Sequence, residues 1–186
     1  MPRFQRPIRA LQALPAPVRW LAPPLALLAC TGALLVSAVD WQPPTTAPVP
    51  DARAVAPCLA LAKALPAALL DHPRADPPNS PYVAVWRSAP RTVLRCGVPR
   101  PASLSVLANR AATGPNVNGV QWYLEHDDHG GYRFTTTLRA LYVEVAVPAG
   151  AYRYAADPLA AISTAVIATV PDLSGQLNAD PNQDQG

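Results

Sequence analysis

"YRFTTTLRALYVEVAVP", residues 132–148, is the stretch on which the fold turns. It is rich in β-branched and aromatic residues and alternates apolar with polar, the pattern of a strand half-buried on a sheet. The inward set reads Phe134, Thr136 and Leu138, then Leu141, Val143, Val145 and Val147. The parity flips near Arg139 and Ala140. A two-residue hairpin there would want Asn or Gly at positive φ. Neither is present, so the pattern predicts a bulge or bend within one long strand.

Working outward, "VQWYLE" (120–125) alternates with Val120, Trp122 and Leu124 inward. "YVAVWR" (82–87) sets Val83 and Val85 against Ala84 and Trp86. "RTVLRC" (91–96) puts Val93 and Arg95 on one face, Leu94 and Cys96 on the other. "PASLSVLA" (101–108) reads as a short helix entered through Pro101. "DHPRADPPNSP" (71–81) and "NRAATGPNVNG" (109–119) have loop composition. Two longer helices flank the strands. In 58–70, Leu61, Leu65 and Leu69 recur at helical spacing, with Pro66 expected to end or kink the run. In 156–170, Leu159, Ile162, Val166 and Val170 form one buried stripe. The expected class is α+β: an antiparallel sheet of about four to five strands with two main helices packed on it.

Residues 20–39, "WLAPPLALLACTGALLVSAV", carry no charge. A helix of that length spans about 30 Å, the thickness of a bilayer core. Arg3, Arg6, Arg9 and Arg19 precede it without any acidic residue, which predicts a cytoplasmic N-terminus and an extracytoplasmic remainder. The first reading is a single-pass transmembrane signal anchor. "VSA" (36–38) offers a cleavage alternative. Cys30 in "LLAC" resembles a lipoprotein site, but the apolar run continues beyond it. The expected organisation is a basic cytoplasmic leader (1–19), the anchor (20–39), a Pro-rich linker (40–55), an exported domain (56–170) and a disordered tail (171–186).

The leader also explains the overall charge. The pI is near 9.0, yet from Asp40 onward there are 11 basic and 12 acidic residues, a net of −1. A phosphate-tracking protein needs a basic patch, and none is interleaved with aromatics here, so no nucleic-acid partner is expected.

Candidate chemistry centres on "LRCGVPRP" (94–101) and "EHDDHGG" (125–131). Cys96 lies beside Arg95 and near Arg100, and nearby positive charge favours a reactive thiolate. With Cys30 in the apolar segment, Cys58 and Cys96 are the two cysteines of the exported region, and an oxidising compartment favours a disulfide between them. A nucleophilic Cys96 would need a base in reach, and His72, His126 and His129 all fall in loop-like sequence. Glu125, His126, Asp127, Asp128 and His129 are ligand types suited to zinc or manganese. Their position between two strand patterns, ending in Gly-Gly, is more simply a solvated hairpin loop. No metal and no cofactor is expected. There is no G-x-S-x-G elbow, S-x-x-K, phosphate loop or dinucleotide glycine pattern. Trp86, Trp122, Tyr123, Tyr132 and Tyr142 read as sheet packing before a ligand surface.

Together "CLALAKALP", "LRCGVPRP", "VNGVQW" and "RFTTTLRALYVEVAVP" resemble domain of unknown function 3515 over about residues 55–172. "AVWRSAP" (84–90) departs from the family's turn after the tryptophan. The resemblance implies an actinobacterial, small, membrane-anchored exported protein and implies no activity. The functional expectation is a non-catalytic cell-envelope binding or accessory module. It would touch the cytoplasmic membrane through residues 20–39 and an envelope protein or wall-precursor partner through its domain. The alternative is a small extracytoplasmic hydrolase or thiol enzyme using Cys96 or the 125–129 loop.

Overall fold

Asp51 starts the folded region: its carboxylate accepts from the Ala54 N–H at 2.8 Å and caps helix α1, Ala52–Ala64. The computed structural model describes residues 41–105 and 114–177. The chain divides into two units, Met1–Trp41 and Gln42–Gly186, and every element below belongs to the second. The expected leader and anchor, 1–39, lie outside the described residues. Among those residues no helix is long and apolar enough to cross a membrane.

Helix α1 begins six residues before Cys58, inside the stretch expected as linker, because Asp51 supplies a cap that composition alone does not reveal. It stops before Pro66, as the proline requires. Leu61 and Leu65 stay buried on its inner side. Leu69, expected on the same helix, instead lies in β1 (Ala68–Leu69), which pairs with β2 (His72–Pro73) in a small separate hairpin.

The main sheet is larger than the four to five strands expected. It has six, all antiparallel, in the order β3-β4-β8-β7-β6-β5. These are β3 (Val83–Trp86), β4 (Thr92–Val98), β5 (Asn116–Val117), β6 (Val120–His126), β7 (Tyr132–Thr136) and β8 (Tyr142–Val147). The extra strand, β5, hides in sequence that reads as loop. It is joined to β6 by Asn118-Gly119, both at positive φ, a hairpin signal in its own right. The short helix expected over 101–108 is a 3₁₀ turn at Ala102–Ser105, and 106–113 lie outside the described residues.

Residues 132–148 form a hairpin, not one bent strand. Tyr132 pairs with Val147 and Thr135 with Glu144. The reason is tertiary. The connection carries Leu138 at φ 58, and its backbone is satisfied from a distant segment. Ala140 N–H donates to Pro171 O, and Leu173 N–H to Leu138 O, both at 2.9 Å. The Arg139 guanidinium bonds Val170 O and Gly119 O. Leu138, expected inward, is therefore exposed. The same contacts correct the expected disordered tail. Residues 171–177 return to the domain and end in α3, Ser174–Leu177, while 178–186 lie outside the described residues.

Helices α1 and α2 (Leu159–Thr169) pack together over one face of the sheet. That face presents Trp86, Leu94, Cys96, Val143, Val145, Phe134, Val120 and Trp122, all in one core cluster with Leu61, Leu159, Ile162 and Val166. The α2 stripe is buried as its spacing predicts, and Trp122 Nε1 donates to Ser163 Oγ on that helix at 3.1 Å. Two helices on one face of an antiparallel sheet is the expected α+β class.

Candidate functional site: the charged cleft between strap and sheet

Because side chains alternate along a strand, the opposite face is built from the other parity. Its β3–β4 end is apolar, with Val83, Val85 and Val93 in a second small cluster. Its middle is charged. Arg95 on β4, Glu144 on β8, Arg133 on β7 and Glu125 on β6 follow one another across four adjacent strands, alternating in sign. Arg95 Nε and Nη2 donate to Glu144 Oε1 at 3.0 and 2.6 Å. Arg133 sits between the two acids more loosely, 3.9 Å from Glu144 Oε2 and 4.0 Å from Glu125 Oε2. Ser103 Oγ, on the 3₁₀ turn, donates to Glu125 Oε1 at 2.6 Å. Arg100 donates to the Tyr142 hydroxyl and to Leu104 O.

A strap of extended chain runs beside these residues. It is the segment expected as a free linker. The Arg91 guanidinium bonds Pro43 O, and the Arg91 N–H donates to Gln42 Oε1. At its far end Pro50 passes so close to Gly97 that a Cβ there would lie 2.6 Å from the Pro50 Cβ. Gly97 also holds φ +78 where the β4–β8 register shifts, so a bulge and a close approach both fall on the glycine of "RCG". Between strap and sheet lies a cleft of about 770 Å³, lined by Thr46 to Pro48, Arg95, Val98 to Ser103, Glu125, Arg133 and Glu144.

The residues singled out in the sequence fare differently. Cys58 and Cys96 form a disulfide, with Cα atoms 5.6 Å apart. The bond ties α1 to β4 on the helix-covered face, and both sulfurs are buried in the core. The thiolate reading of Cys96 is thereby corrected. Arg95, its neighbour, points to the other face and spends its charge on Glu144. The 125–129 loop is a tight β6–β7 turn. Asp127 Oδ1 accepts from the His129 and Gly131 N–H groups at 2.8 and 2.7 Å. His126 rests against the Tyr132 ring. Among the described residues, no group of three or more His, Cys, Asp or Glu is placed to hold a metal. Of that loop only Glu125 reaches the cleft.

Elsewhere, burial pushes the Tyr152 phenol above its usual range, offset in part by the Thr92 and Ser88 hydroxyls beside it. Ser88 itself bonds Thr92 and Pro90 O in the β3–β4 turn.

Residues 21–174 match the family model described as "Protein of unknown function (DUF3515)". The chain belongs to that family. No curated protein and no solved structure matches it. Reading strand by strand left Arg133 and Glu144 unremarked, because each is an ordinary outward residue until register sets them side by side. A signal existed: all four charges sit at the outward parity of their strands.

Proposed function

We propose that this DUF3515 protein is a membrane-anchored extracytoplasmic module. It acts in the cell envelope by binding a partner protein or a wall precursor, and it does no chemistry of its own. The observation that carries the reading is the Cys58–Cys96 disulfide. Disulfides persist in oxidising compartments, and this one commits the sulfur that a thiol enzyme would need. The uncharged stretch 20–39 behind four arginines supports the anchor and its orientation. The charged cleft supports binding, since its described lining residues offer paired charges and hydroxyls.

The test is crosslinking in intact cells through photoreactive residues on the cleft side, followed by partner identification and membrane fractionation. The expected result is a membrane-bound chain with oxidised Cys58 and Cys96 and a discrete crosslinked species. Recovery in the soluble cytoplasm with both thiols free to alkylation would overturn it.

A further inference from the structure

We infer that the cleft between the strap and the sheet takes a short peptide ending in a free carboxylate, with Arg133 as the residue that anchors the carboxylate. This deepens the binding reading above and rests on it.

The first argument is the state of Arg133. Its guanidinium carries five N–H donors. Both of its acidic neighbours stand at 3.9 and 4.0 Å, within ion-pair range but beyond hydrogen-bond length. Its side chain is 42% exposed, against 25% for Arg95, which closes on Glu144 at 2.6 Å. Arg133 is thus held in place by two flanking charges while its donors stay open. A planar fork of this kind matches a carboxylate bidentately.

The second argument is charge. Among the described lining residues, Arg95, Arg100 and Arg133 face Glu125 and Glu144, so their formal charge is one positive in excess. A single carboxylate completes it. A phosphate dianion overshoots it.

The third argument is shape. The cleft, about 770 Å³, lies within the range of small-ligand sites, roughly 300–1,000 Å³. One wall is the extended strap. The backbone groups of Thr46 and Ala47 enter no hydrogen bond among the described residues. An extended peptide laid alongside can pair with them as an added strand does, while Pro48, Pro99 and Pro101 give it apolar contact.

The experiment is a titration of the ¹⁵N-labelled full-length chain with N-acetyl-dialanine, with its C-terminal amide, and with inorganic phosphate. Arg133 Nε–H and the amides of Ser103 and Glu125 are followed by NMR. The expected result is saturable shifts with the free acid and affinity at least about tenfold weaker for the amide, since a charge-assisted pair is lost. Arg133→Gln should abolish the shifts, and Arg133→Lys should restore part of the affinity. Signals from α1 and α2 serve as the fold control, and Arg100→Gln, expected to weaken binding less, is the second variant. Equal binding of acid and amide, binding of phosphate alone, unchanged binding in Arg133→Gln, or no shift at the cleft would each overturn the inference. A crosslinked partner found in cells alongside a silent cleft overturns this assignment and leaves the binding-module reading standing.

Discussion

The two faces of the six-stranded sheet are carried by the same strands and held by different forces. On the helix side, Trp122, Phe134, Val143 and Leu94 are buried against α1 and α2, and a disulfide joins helix to strand. Removing apolar area from water stabilises that side at roughly 25 cal/mol per Å². On the strap side, Arg95, Glu144, Arg133 and Glu125 meet across strands, one pair tight and the rest loose. Partly solvated ion pairs return little net stability. The contrast teaches a division of labour: one face supplies the fold and leaves the other free to hold charges in an arrangement that stability alone would not select.

The largest effect that could break this contrast is Trp122→Ala. It empties a fully buried site and strands Ser163 Oγ. Urea unfolding should show a loss of about 5 kcal/mol. Next is the double replacement Cys58→Ala with Cys96→Ala. The bridge spans a sequence separation of 38, and chain entropy predicts a loss of about 4 kcal/mol by the same measurement.

Glu144→Gln acts on the other face. It removes the charge that Arg95 Nε and Nη2 both meet at one oxygen, Oε1, while keeping the volume, and should cost about 1 kcal/mol. A loss as large as that of Trp122→Ala would mean the charged face carries the fold after all.

The smallest effect is local and depends on pH. The Ser174 N–H holds the Asp172 carboxyl below its ordinary value of 3.8, with the Ser174 side chain and the Arg139 charge adding to this. A depressed folded pKa means the contribution is present above the ordinary value and is lost as pH falls through the folded one. The protection of the Leu173 and Ser174 amides, taken relative to the intrinsic exchange rate at each pH, should therefore fall as the solution is acidified below the ordinary carboxylate range. Asp172→Asn should flatten that dependence without moving exchange in β6.

How legible these features were follows from their range. Strand parity in 82–87, 91–96 and 120–125, the α2 stripe and the stop at Pro66 are local properties, and each stands where periodicity or proline chemistry puts it. The hairpin at 137–141 was misread because its turn lacks local turn residues. Its hydrogen bonds come from distant segments, Val170 to Leu173 about thirty residues downstream and Gly119 and Gln121 upstream, and not from any pattern within the turn. The strap has linker composition for the converse reason: prolines advertise extended chain, and nothing in them says that Arg91 will fasten it.

From residues alone came the α+β class, the helix-facing side of most strands, the pairing of Cys58 with Cys96 and membership of the DUF3515 family. The first three rest on period, composition or count, which a linear chain displays directly; the family rests on the likeness of whole motifs to a known set. The six-stranded order, the closure of 132–148 into a hairpin and the cleft around Arg133 came from the fold. Strand register is a relation between segments far apart in the chain. Charges spread across four strands become neighbours only once backbone pairing sets each strand about 5 Å from the next.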